Sequence, residues 1–188
     1  IVLNADGKVY GWGYNGSGQL GLGNTSNYTT PVYLNMDNVI DITARGNYTA
    51  VLKKDGTVWM AGYNGNGELG INGTSSQSSF VQVKNEDGTG FLTNIKDIES
   101  GVNTMYAITN DGEVYAWGYN GYGQMGFGDT SSRLLPVKLN ITNIKQISAG
   151  AHDTIALDNN GEVWVAGRNT EGQLGIGNSS DSAVWTKM

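Results

Sequence analysis

An all-β fold built from repeated small antiparallel sheets is what this sequence predicts. Three observations carry it: a sixteen-residue motif that returns four times, strand-length alternation with no helical periodicity, and an excess of glycine at turn positions. The motif runs Asp6-Gly7-Lys8-Val9-Tyr10-Gly11-Trp12-Gly13-Tyr14-Asn15-Gly16-Ser17-Gly18-Gln19-Leu20-Gly21 and comes back over 55–70, 111–126 and 160–175. Its first glycines stand at 7, 56, 112 and 161, so the spacing is 49, 56 and 49 residues. The longer interval holds seven extra residues between Val83 and Ile95, where Asn85-Glu86-Asp87-Gly88-Thr89-Gly90 reads as an exposed loop.

Each repeat divides into four short strands. Apolar pairs (Val51-Leu52, Ala107-Ile108, Ala156-Leu157) run into Asp-Gly or Asn-Gly, which predicts a two-residue hairpin turn with positive φ. In the next strand Val9, Val58, Val114 and Val163 point one way and Tyr10, Trp59, Tyr115 and Trp164 the other. A Gly-rich turn follows, then a third strand near Pro31–Leu34 or Leu135–Leu139 and a fourth near Val39–Ile42, Ile95–Ile98 and Ile144–Ile147. Four antiparallel strands in about 49 residues match one β-propeller blade, so residues 1–188 are expected to form a single propeller-type repeat domain, a partial or open arc of about four blades.

At a shift of 105 residues Trp12 falls on Trp117, Pro31 on Pro136, Ala61 on Ala166 and Phe80 on Trp185. This predicts duplication of a two-blade unit, in which Phe80 and Trp185 fill volume that Ala61 and Ala166 leave open. The ends read as mid-blade breaks: Ile1-Val2-Leu3 closes a strand whose partner is absent, and Lys187-Met188 stop where an equivalent of Val39–Ile42 should begin. A fragment of a longer array is therefore expected, or self-association that completes a ring or filament.

The motif D-G-x-V-Y-x-W-G-x-N-x-x-G-Q-L-G resembles the regulator of chromosome condensation repeat, and the resemblance covers essentially the whole chain. It implies a β-propeller, usually seven-bladed, whose relatives exchange nucleotide on a small nuclear GTPase, bind nucleosomes, inhibit β-lactamases or sense ultraviolet light. Fold alone does not choose among these. The positions where the family commonly has His hold Tyr48, Thr104 and Asp153, the light sensor's G-W-R-H-T signature is missing, and the basic surface that chromatin contacts want is absent. The eukaryotic roles are therefore not expected, and the array reads as a bacterial-type one.

Composition narrows the chemistry. Glycine is 29 of 188 residues and charged residues are 15%, against a usual ~7% and ~25%. There is no Cys and one His, which excludes thiol catalysis, disulfides and Cys/His zinc sites within this chain. A net charge of −6 with three Arg argues against nucleic acid as a partner, and no apolar run is long enough for membrane insertion. No cofactor or metal is expected: the D-x-D-x-D-G calcium loop is missing, and Gly16-Ser17-Gly18 is not a nucleophile elbow.

Residues fixed in every repeat read as packing between blades: Trp12, Trp117 and the turn residues Gln19, Glu68, Gln124 and Gln173. Residues that vary are the binding candidates. After Trp-Gly or Ala-Gly stand Tyr14, Tyr63, Tyr119 and Arg168, and two or three places on stand Ser17, Asn66, Tyr122 and Glu171. Tyr14, Tyr63, Tyr119, Tyr122, Arg168 and Glu171 form the candidate face, on loops at one end of the blades. His152-Asp153 reads as a polar pair rather than a catalytic one, and no spacing selects Glu68 with Glu171 as a glycosidase pair. The expected function is a non-catalytic protein-binding propeller, secreted or displayed on a bacterial cell surface. The alternative is a glycan-binding propeller that stacks sugars on Tyr14, Tyr63 and Tyr119.

Overall fold

A computed structural model describes residues 1–188 as fifteen strands in four antiparallel sheets, with no helix. The first sheet has three strands, β1 (Val2–Leu3), β2 (Val9–Gly13) and β3 (Tyr28–Tyr33). The second has four, β4 (Val39–Arg45), β5 (Tyr48–Lys53), β6 (Val58–Gly62) and β7 (Gln77–Gln82), in that order across the sheet. The third runs β8 (Ile95–Ser100), β9 (Thr104–Thr109), β10 (Val114–Gly118) and β11 (Arg133–Lys138). The fourth runs β12 (Ile144–Ala149), β13 (Asp153–Asp158), β14 (Val163–Gly167) and β15 (Ser182–Lys187). These are propeller blades in an open arc, as the repeats predict.

Three details differ from the sequence reading. The strand that begins at Val39, Ile95 or Ile144 pairs with the strand after it, so it opens a blade and does not close the one before. The last blade is consequently a complete four-stranded sheet, and only the first has three strands. The hairpin after the apolar pair has a three-residue loop. Gly56 N–H donates to Lys53 O at 2.9 Å and Lys53 N–H to Thr57 O at 2.9 Å, with Gly56 alone at positive φ (78°). This is a type I turn closed by a glycine bulge, and it recurs at Gly7, Gly112 and Gly161. The third strands also begin about three residues earlier than their apolar residues suggest, because Tyr28, Gln77, Arg133 and Ser182 pair with Gly13, Gly62, Gly118 and Gly167 past a bulge.

The core lies between the blades. One cluster joins Tyr48, Leu52 and Met60 of the second blade to Ile98, Met105 and Trp117 of the third, and another joins Tyr106 and Met125 to Ile144, Ile147 and Ala156. Trp117 is fully buried against the second blade, its indole N–H donating to Glu68 O at 2.8 Å. Its counterpart Trp12, on the first of the four blades, is 45% exposed. Trp117 lies over Gly70, where an added Cβ would come within 3.0 Å of the indole nitrogen. The corresponding Gly21 and Gly126 are covered by Phe80 and Trp185. An aromatic ring from the following blade thus caps the turn glycine of each of the first three blades, from the middle strand in one case and the outer strand in the other two, whereas Gly175 of the fourth meets Met188. This is the predicted exchange of volume between Ala61 and Phe80, and between Ala166 and Trp185. The exchange has a cost at Trp185, whose indole N–H is buried without a partner.

Candidate functional site

All six candidate residues lie on the β2–β3, β6–β7, β10–β11 and β14–β15 loops, which emerge at the same end of the blades as the turns before β5, β9 and β13. Two devices hold these long loops rigid. An asparagine two places after the strand is fully buried in every copy: Asn15, Asn64, Asn120 and Asn169. In each, the side-chain oxygen accepts the N–H of the next Leu or Met, at 2.9 Å for Asn120 to Met125. The amide donates across the loop, at 3.0 Å from Asn120 to Asp129 O. The residue after Trp-Gly or Ala-Gly is tied by its N–H to the neighbouring turn: Tyr63 to Asn47 O, Tyr119 to Asn103 O and Arg168 to His152 O, at 2.8–2.9 Å. The glutamine of the turn folds back within its own loop, accepting the N–H of Ser17, Tyr122 or Glu171, and Glu68 accepts that of Asn66.

The tyrosines are partly dictated by their own loops. The phenol ends of Tyr14, Tyr63 and Tyr119 lie over Gly16, Gly65 and Gly121, where any Cβ would collide with them. The fourth copy replaces both partners at once: Arg168 stands for Tyr and Thr170 for Gly, and the guanidinium Nε donates to the Thr170 hydroxyl at 2.9 Å. The variation from Tyr-Asn-Gly to Arg-Asn-Thr is one coupled change.

Four of the candidates are brought together and two are not. Tyr119 and Tyr122 meet edge-on at 6.3 Å, and Tyr122 lies 4.4 Å from the ring of His152 on the fourth blade. Beside His152, Arg168 pairs with Glu171 at 2.8 Å. The result is an aromatic and charged patch across the third and fourth blades. Tyr63 (39% exposed) and Tyr14 (61% exposed) sit on the equivalent loops of the second and first blades, apart from this cluster. His152 is a member that the sequence reading missed as a binding residue. Its only signal was its place in the turn that receives the loop N–H.

Near the axis the same end carries a charged group that no repeat pattern reveals. Arg45 stands where the next two blades have Gly101 and Gly150, and its guanidinium donates to Ala149 O at 2.6 Å, two blades away. Glu99 accepts the N–H of Ala149 at 3.2 Å. Burial raises the carboxyls of Asp41, Asp97 and Glu99, and for Glu99 the Ala149 N–H and Arg45 offset part of that rise. The group is a tie between blades: no three acidic or His side chains in the chain converge as metal ligands would.

With this geometry in view, the comparisons with known proteins are decisive. The family model described as RCC1-like domain matches residues 1–188. The chain belongs to the RCC1-like domain family. The ultraviolet-B receptor UVR8 of Arabidopsis thaliana is 31% identical over 134 residues, 70% of this chain and 30% of the receptor. The human X-linked retinitis pigmentosa GTPase regulator is 32% identical over 146 residues, 74% of this chain and 14% of the regulator. Among solved structures, human WBSCR16 superposes with a TM-score of 0.83 at 24% identity over 99% of this chain, and Prp20p of Saccharomyces cerevisiae with 0.82 at 24% over 98%. These two share the RCC1-like fold, and the chain spans about half the length of each, 49% and 47%.

These relatives overturn the expectation of a bacterial-type, secreted or surface-displayed module. They are plant, mammalian and yeast proteins, and the yeast structure is described with its binding to Gsp1p and histones. The inference failed because low charge and abundant Asn, Ser and Thr follow from the RCC1-like loops themselves, where these residues cap and brace turns.

Proposed function

We propose that the chain is a non-catalytic protein-interaction propeller that docks a partner protein on the loop face formed by Tyr14, Tyr63, Tyr119, Tyr122, Arg168 and Glu171. The observation that carries this is the patch of Tyr119, Tyr122, His152, Arg168 and Glu171, since tyrosine and arginine on braced loops give contact area at little entropic cost. Family membership supports a scaffold role: the yeast relative's structure is described with its binding to Gsp1p and histones.

Photo-crosslinking tests the face. A benzophenone side chain is placed in turn at positions 63 and 122, with position 6 at the other end of the blades as control. The crosslinked species from cell extract are then identified and each is titrated as a purified protein. The reading expects one protein captured from 63 and 122 but not from 6, with affinity reduced about tenfold or more by Tyr122→Ala together with Arg168→Ala. Capture from position 6 alone, or affinity untouched by the double substitution, overturns it. Gsp1p and core histones are the first purified proteins to titrate.

A further inference from the structure

At the opposite end of the blades, the second blade carries a feature that the others lack. Eight residues separate Val83 from Leu92, where one separates the equivalent Leu34 from Met36 and Leu139 from Ile141. The segment Lys84–Phe91 therefore stands in place of the single residues Asn35 and Asn140. The exposed loop that the sequence predicts at Asn85–Gly90 is the tip of a hairpin. Lys84 bridges to Phe91, Asn85 N–H donates to Gly90 O at 3.1 Å, Leu92 N–H to Val83 O at 3.0 Å, and Gly88 abuts Leu135 of the third blade.

This hairpin sets Phe91 on the surface at 54% exposure, although only the backbone of Phe91 is used in holding the hairpin. Phe91 is the shared wall of two depressions. On one side a groove of about 510 Å³ is lined by Trp59, Ile71, Phe80 and Val81. On the other a cleft of about 560 Å³ is lined by Glu86, Asp87, Glu113 and Tyr115. The nearby cations are already engaged: Lys138 is paired with Glu113, and Lys84 Nζ donates to Gly88 O at 3.1 Å. Glu86 and Asp87 are exposed and neither is in a salt bridge, although Glu86 accepts the Lys138 N–H at 3.5 Å and lies near its ammonium. The Thr89 hydroxyl and N–H hold the Asp87 carboxyl below the usual carboxylate range, so it stays charged.

We infer that this hairpin builds a second docking surface, for a partner segment that presents a large apolar side chain next to lysine or arginine. The apolar group enters the groove beside Phe91, and the cation meets Glu86 and Asp87 across the same ring. Charge complementarity selects a basic segment over an acidic one, and the surplus of carboxylates turns phosphate-bearing ligands away. The surface is independent of the tyrosine loops, which lie at the other end of the blades.

Fluorescence anisotropy with labelled nonapeptides tests it, using a Gly-Ser background that carries a central Trp or Leu flanked by two Lys, two Glu or neither. The Lys-flanked peptides are expected to bind best, about tenfold better than the Glu-flanked ones at low salt, with the gap closing as salt rises. Phe91→Ser should weaken them about tenfold, and Glu86→Lys with Asp87→Lys should shift the preference to Glu-flanked peptides. These side chains are exposed, so circular dichroism of each variant should match the parent. No binding by any peptide, equal binding of Lys- and Glu-flanked peptides, or a loss caused by Tyr122→Ala instead of Phe91→Ser would each overturn the inference.

Discussion

The two ends of the blades vary in different ways. At the tyrosine end every loop is braced by the same buried asparagine and three of the four by the same tie to a neighbouring turn, so a change at one position is answered by another close by, as Arg168 and Thr170 show. At the other end the connections are as short as the strands allow, and variation enters as an addition, the Lys84–Phe91 hairpin, which leaves its neighbours in place. A braced loop limits what can change within it. An added hairpin limits almost nothing, and it is where a new surface costs least.

The largest effect should come from removing a brace. Asn120→Ala strands the buried Met125 N–H and removes the cross-loop bond to Asp129 O, and we expect a loss of about 3 kcal/mol and a melting temperature lower by roughly 10 °C. A loss below about 1 kcal/mol would mean the loop is not held this way. Tyr48→Phe is next. Its hydroxyl donates to Gly101 O of the adjacent blade at 2.8 Å, and its loss should cost about 1 kcal/mol in urea unfolding.

The coupling of Tyr63 to Gly65 can be read directly. Gly65→Thr alone should destabilise by about 1 kcal/mol, and adding Tyr63→Arg should return much of it, a non-additivity that a double-mutant cycle measures. Strict additivity would show that the Tyr-Asn-Gly and Arg-Asn-Thr versions are unrelated changes.

Acidity probes the axis with smaller amplitude. Because Asp41, Asp97 and Glu99 have raised values in the folded state, that state takes up protons more readily than the unfolded chain, and stability should rise as pH falls from neutral through those raised values. Asp55, Asp87 and Asp129 are held low by hydrogen bonds from Thr57, Thr89 and Arg133, and their contribution is lost only as pH falls below the ordinary carboxylate range. The melting temperature should therefore peak on the acidic side of neutral, and Asp97→Asn should flatten the rise. The smallest effect should be replacement of Lys84–Phe91 by a single Asn, which restores the connection of the other blades. We expect a change within about 1 kcal/mol, and a larger loss would give the hairpin a structural role.

The repeat made the blades, their strands and the pairing of Ala with a larger aromatic legible from the residues alone, because each is enforced once per 49 residues or so. The division between blades was misplaced because sequence shows that Val39 begins a strand but not which neighbour it pairs with. The loop face was found by its variability, yet the reason for that variability lay in contacts such as Tyr63 over Gly65 that two adjacent letters do not disclose. Arg45 and Phe91 were invisible for the opposite reason: each occurs once, so no repeat marks it, and its meaning depends on Ala149 or Glu86 placed there by the folded chain.

The capped glycines bear on how such arrays grow. Trp117 with Pro136, and Ala61 with Phe80, are each contained in one blade, and each satisfies the same glycine on whichever blade comes before. Crossovers at the junctions between blades would therefore join any copy to any other without penalty. A crossover between the middle and outer strands would instead make a hybrid, with either two bulky rings over one glycine or Ala opposite Pro and a void. Recombination is tolerated at one kind of joint and punished at the other, which preserves both ring-and-partner pairings intact while leaving the number and order of copies free to drift.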